Sequence, residues 1–183
     1  MIDGNGMLSL MKRRHSDRKY LDKSVEKEKI GRITEAGRLS PSACNGQPWR
    51  FIVVDEPGLR EKVAAATESE MLRMNTFVHQ APVLIVVVRE KSNFTSRAGD
   101  LIKKRNYSLI DIGIATASMV YQATAEGLGT CIIGWFDENK IRQLLGIPKS
   151  KKVEVVITVG YTDNRQRDKA RKPPGEVTAF NRY

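Results

Sequence analysis

The stretch PVLIVVVRE, Pro82 to Glu90, limits the possible folds more than any other part of the sequence. Residues 83–88 are all apolar and mostly β-branched, so a strand built from them can offer neither face to water. That predicts a central strand with helices packed on both sides. The run is also far too short to cross a membrane. VEVVITVGY, Val153 to Tyr161, reads as a second strong strand, and RFIVVD, Arg50 to Asp55, as a shorter one. TCIIGW, Thr130 to Trp135, reads as a short strand or an extended loop.

Helical signals fall between these strands. Ser24 is expected to cap a helix over 25–39, with Glu26 and Glu28 at its positive end. Pro57 suits the first turn of a helix ending near Thr67, and another is expected over 68–78. The longest candidate covers 111–128 and is small-sided nearly all round, with Gly113, Ala115, Ala117, Ser118, Ala123 and Ala125. Such a helix must be packed on most of its surface, against the sheet and a partner subunit. Asp137 is expected to cap a helix through Leu145, SPSACNGQPW to form a loop, and 91–105 to form a polar surface excursion. Alternating strands and helices give an α/β or α+β protein with one central sheet. At 183 residues this is one domain over 1–183, with an extended tail over 165–183 whose Val177 and Phe180 need burial, as by docking on a partner subunit.

Charge narrows the partners. The net charge of +10 calls for a polyanionic partner to be considered, and RRHSDRKY, Arg13 to Tyr20, concentrates that charge. Nucleic acid, a phosphate-bearing small molecule and a merely solvated segment all fit the run. Aromatic residues make up 7% of the chain and do not interleave with the basic ones, which argues against a single-stranded nucleic acid. Nothing resembles a zinc finger, an RNA-recognition motif or a basic zipper. Cys44 and Cys131 are read as reduced thiols and define no metal site. The first residues hold no apolar core of signal-peptide length, so a cytoplasmic chain without membrane association is expected.

Four segments in order, RRHSDRKY, SPSACNGQPWRFIVV, DIGIATASMVYQATAEGLGTCIIGW and VITVGYTDNRQRDKARKP, resemble the nitroreductase family of flavin-dependent oxidoreductases from about Met11 to Tyr183. SPSxxNxQPW followed directly by a strand is the most specific of them. The resemblance implies an α+β, three-layer sandwich with a central, mostly antiparallel sheet flanked by helices. It implies a homodimer with one FMN at each of two subunit interfaces. It also implies ping-pong chemistry, in which NADH or NADPH passes hydride to flavin N5 and the flavin then reduces a nitroaromatic, quinone or similar small-molecule acceptor. A flavin-binding sensor or storage protein without turnover is the alternative, and nucleic acid is not the expected partner.

The resemblance also assigns residues. Arg14, His15, Ser16 and Arg18 match the segment that holds the phosphate, the ribityl chain and one ring edge, and Arg13 is left outside the site. Lys169 and Arg171 match a K-x-R segment that returns to the same phosphate. Pro41, Ser42, Ala43 and Asn45 match the loop along the flavin ring. Ile132 and Ile133 are expected beside the isoalloxazine, with the Gly134 N–H near N5. Asn75, and less directly Arg73, are candidates for the N3–O2 side, and His79 is read as structural. The protein needs no general acid, base or nucleophile of its own, because the flavin carries the redox chemistry.

Overall fold

The computed structural model describes residues 3–69, 74–90, 106–164 and 168–183. Its centre is a sheet of four antiparallel strands in the order β1-β2-β4-β3: β1 Trp49–Val54, β2 Val83–Arg89, β3 Gly129–Ile133 and β4 Lys152–Gly160. The apolar run is β2, flanked by β1 and β4 and buried from Val83 through Val88. Successive side chains point to opposite faces. Leu84, Val86 and Val88 pack with Val63 and Ala64 of helix α3 (Pro57–Thr67) and Ile141 of α5 (Glu138–Leu145). Val83, Ile85 and Val87 pack with Ile30 and Ile33 of α2 (Lys27–Arg38) and Ile112, Met119 and Val120 of α4 (Tyr107–Ala125). Helices therefore lie on both sheet faces, giving the three-layer α+β sandwich expected. The β2–β4 register shifts between Val87 and Val88. That irregularity explains how Val153 and Val156, three residues apart, join the same core cluster.

The structure departs from the sequence expectations in four local places. Helix α1 (Gly4–Arg13) forms where no helix is expected; Asp3 caps it through the Gly6 N–H at 2.7 Å, and Lys12 and Arg13 stand at its negative end. Helix α2 begins after Glu26 with no side-chain cap, so Ser24 does not start it. There the Tyr161 hydroxyl donates to the Glu26 carboxylate at 2.8 Å, and tertiary contact fixes the helix start. The helix expected over 68–78 does not continue through 74–75. Ser69 and Met74 form an antiparallel bridge, and Asn75 at φ 65 leads into a 3-10 turn, Thr76–Gln80; residues 70–73, with Arg73, lie outside the described residues. Finally, α4 starts at Tyr107 rather than Asp111, capped by the Asn106 side chain. The excursion over 91–105 also lies outside the described residues. The tail holds a single helical turn, α6 (Pro174–Val177), and Val177 and Phe180 are exposed in the single chain.

One ion pair ties α2 to the end of α4 and carries a pH prediction. Arg32 of α2 grips the carboxylate of Glu126, just beyond α4, through Nε at 2.6 Å and Nη2 at 2.8 Å, and Gln122 adds a third donor. The Arg32 hydrogen bonds, opposed by burial and helped by Gln122, hold Glu126 down to about 2. Its unfolded value is near ~4.3. The folded pKa is the lower one, so this contribution is complete above the unfolded value and is lost as pH falls toward about 2. We expect Glu126→Gln to remove that part of the acid dependence. Urea melts of both proteins at stepped pH values check it, and parallel stability curves through that window would refute it.

Candidate functional site

The basic N-terminal segment is built into the sheet edge. Ser16 forms a parallel bridge with Thr130 of β3, and the Asp17 N–H donates to Thr130 O at 2.8 Å. Tyr20 is buried; its hydroxyl donates to Asp17 O at 2.8 Å and lies 2.6 Å from Thr158 Oγ1. Thr158 Oγ1 in turn accepts the Cys131 N–H at 3.0 Å. Burial pushes the Tyr20 phenol well above its ordinary value, so it stays a neutral hydrogen-bonding latch. Gly129 makes the approach possible: a Cβ there would stand 2.8 Å from Asp17 Oδ2 and from Thr162 Cγ2.

The chain leaving β4 returns to this segment. Asn164 Nδ2 donates to Asp17 Oδ1 at 3.0 Å, and Lys19 pairs with Asp163 at 3.4 Å. That return places Lys169 and Arg171 beside Arg14, around a cavity of about 550 Å³ that Leu8, Met11 and Tyr121 also line. Lys169 donates to Met11 O near the end of α1. Burial, then the neighbouring guanidiniums of Arg14 and Arg171, push its ammonium below the ordinary lysine value. With Lys12, which also lines the cavity, four cations converge there, and among the described residues Asp168 is the one acidic lining residue. Such a cradle suits a phosphate dianion. Half-buried His15 and exposed Arg18 belong to the same strip, and Arg18 acts electrostatically on Cys131, whose thiol burial pushes up.

At the other end of β3, four strand residues or roughly 13 Å from Thr130, lies Gly134. It is exposed, with open space where a Cβ would stand. Ile132 is 43% and Trp135 55% exposed, whereas Ile133 is 4% exposed and belongs to the core. Of the two isoleucines, only Ile132 offers its side chain to a ligand. Asn75 spends both amide hydrogens inside the protein, on Thr67 O at 2.9 Å and Trp135 O at 3.2 Å. It clamps the turn after β3, and a ligand would find its amide nitrogen engaged.

The loop Pro41–Asn45 is held separately, on α4. Ala43 begins a 3-10 turn that ends at Asn45; Ser42 Oγ accepts the Gln47 N–H at 3.0 Å, and Gln47 Nε2 donates to Asn45 Oδ1 at 3.1 Å. Cys44 is exposed and Cys131 buried. His79 sits between Glu61 at 2.6 Å and Glu68 at 3.3 Å, on the α3 side of the sheet, consistent with a structural role. Among the described residues no three His, Cys, Asp or Glu side chains are grouped to hold a metal, and no helix is long and apolar enough to cross a membrane. Sequence reasoning missed Tyr20, Thr158 and Asp111 as organisers of the site. Of these, Asp111 carries a signal, as the one charged residue within the helix Tyr107–Ala125.

A four-stranded antiparallel sheet between helices, with basic side chains gathered near one edge strand, defines an α+β sandwich protein. Residues 11–161 match the model of the nitroreductase family, so the chain belongs to that family and is an oxidoreductase. A Bacillus subtilis protein carrying the provisional name NAD(P)H nitroreductase YdgI is 29% identical, over 86% of this chain and 88% of its own. The solved FMN-dependent nitroreductase of Clostridium difficile has a TM-score of 0.78 at 27% identity, covering 96% of this chain and 99% of that one. A nitroreductase family protein of Streptococcus pneumoniae superposes with a TM-score of 0.80 at 26% identity, covering 95% and 99%.

Proposed function

We propose that this protein is an FMN-dependent NAD(P)H oxidoreductase that works by a ping-pong cycle and reduces a nitroaromatic, quinone or similar small acceptor. The observation that carries the reading is the convergence of Arg14, Lys169 and Arg171 on one cavity, where burial and then the charges of Arg14 and Arg171 lower the affinity of Lys169 for its own proton. A phosphate dianion relieves that repulsion. The FMN dependence of the Clostridium difficile relative supports the same ligand.

When bound, FMN supplies the hydride and electron chemistry. The residues of this chain bind and orient. Arg14, Lys169 and Arg171 hold the phosphate, and Ser16 adds a neutral donor beside Arg14, whose Nη1 lies 3.5 Å from Ser16 Oγ. His15 and Arg18 continue the strip toward the ribityl chain. Backbone groups of Pro41, Ser42 and Ala43, with the Asn45 amide, line the ring, and Ile132 packs beside it. Gly134 brings an N–H close to the reacting end with no side chain in the way. Asn75 acts through the turn it clamps.

The site is completed by a second copy of the chain in a cytoplasmic homodimer. Leu109 and Ile110 on α4 are 44% and 54% exposed, and the open tail with Val177 and Phe180 supplies further apolar surface for a partner to cover.

The deciding measurement is the absorbance spectrum of the purified protein with and without added FMN, before and after anaerobic NADPH or NADH. Flavin absorbance that bleaches with the nicotinamide, and returns with a nitroaromatic or quinone, is expected. Bound flavin that does not bleach would favour a sensor or storage protein. A protein that takes up no FMN would refute the reading, leaving nucleic acid as the next partner to test for salt-dependent binding.

A further inference from the structure

Two side chains on one stripe of α4 reach the loop before β1. Ser118 Oγ and Ser40 Oγ are 2.8 Å apart, and Asp111 Oδ1 accepts the Ala43 N–H at 3.0 Å. Positions 111 and 118 lie two turns apart on the same helix face, about 10.5 Å along the axis. The segment from Ser40 to Ala43 runs between these two anchors, with the Ser42 backbone extended at φ −145, ψ 153. Ala115, on the same stripe between the anchors, is fully buried.

Beyond the second anchor the backbone bends hard. Cys44, Asn45 and Gln47 have φ of 51, 52 and 44, left-handed values that residues with a Cβ keep only where their surroundings enforce them. Asp111 itself is held at a cost. It is 3% exposed, and its Oδ2 has no hydrogen-bond partner among the described residues. A half-satisfied buried carboxyl is unfavourable for stability alone.

We propose that Asp111 is a positioning residue: through the Ala43 N–H it tethers the Pro41–Asn45 backbone in the single conformation that meets the flavin. The flavin consequence rests on the function proposed above; the tether does not.

The test uses the full-length protein and the variants D111A, D111N and A43P. Proline at 43 removes the donor while leaving Asp111 itself unchanged, and the extended Ser42 before it and the first position of the 3-10 turn suit a proline. Hydrogen exchange over residues 40–48, FMN titration by fluorescence, and the visible circular dichroism of bound flavin are measured for each. D111A and A43P are expected to exchange the loop amides about tenfold faster than wild type with the sheet unchanged. They are expected to bind FMN about tenfold more weakly, with an altered dichroism band. D111N keeps an acceptor for Ala43 and is expected within about threefold of wild type on both scales. Wild-type loop exchange in D111A and A43P would overturn the tether. Faster exchange with unchanged FMN affinity and dichroism would overturn the positioning role. A wild-type protein that binds no FMN removes the flavin consequence, while exchange still decides the tether. If D111A does not fold, A43P and D111N decide between the same outcomes.

Discussion

Arg14→Ala and Arg171→Ala variants are each expected to bind FMN roughly ten- to a hundredfold more weakly than the wild-type protein, while melting at nearly the same temperature. A hydrogen bond to a charged group contributes about 1.5–3 kcal/mol, and each ~1.4 kcal/mol is a factor of ten in affinity. Neither arginine carries much of the fold. Arg14 makes a long bond to Ser16 at 3.5 Å, and Arg171 donates to the carbonyl of its own neighbour, Ala170. In the unliganded protein these cations repel one another and Lys169, so removing one leaves the melting temperature unchanged or slightly higher. Affinity and stability should therefore move apart, which a mere folding defect would not produce. The cradle also has a pH signature. The Lys169 ammonium, pushed down by burial and then by Arg14 and Arg171, gives up its proton below the ordinary lysine range. FMN affinity should fall as pH rises through that region, and Lys169→Gln should flatten the fall. Equal flavin retention in both arginine variants would sink the phosphate assignment.

Ile85→Ala is expected to destabilise the protein by about 2–5 kcal/mol, as large-to-small changes in a well-packed core do. Ile85 is fully buried at the middle of β2, where it belongs to the cluster formed by Ile33, Met119 and Ile157. Strands lie on both sides of β2 and helices cover both its faces, so the surroundings can collapse little into the space left by the lost side chain. Against a total stability of about 5–15 kcal/mol, that is a large share. Val53→Ala on the edge strand β1, where the side chain is only partly buried, should cost about 1 kcal/mol or less. Urea titrations of the two variants provide the comparison. Equal losses would mean that β2 is not the sealed centre of the sheet.

The resemblance carried by SPSACNGQPW and its companion segments points to the family and its flavin, and singles out Arg14, Lys169 and Arg171, which the structure brings around one cavity. What remained hidden were contacts distant in sequence. No local pattern says that Asn75 spends its amide on Thr67 and Trp135, that Ile132 faces out while Ile133 faces in, or that Tyr161 takes the carboxylate of Glu26 and moves the start of α2. Nor does spacing show that Asp111 reaches Ala43.

The sequence by itself determined that residues 83–88 form a strand with no face for water, that helices must cover it, and that positive charge gathers near each end of the chain. These follow from hydrophobic periodicity and composition, which act between near neighbours. Tertiary structure alone decided that Arg14 meets Lys169 and Arg171, that Tyr20 latches the basic segment onto β3, and that the Ser40–Ala43 segment is anchored at two points on α4. Those outcomes depend on sheet order and on the close approach that Gly129 permits, so they exist only once the three layers have packed.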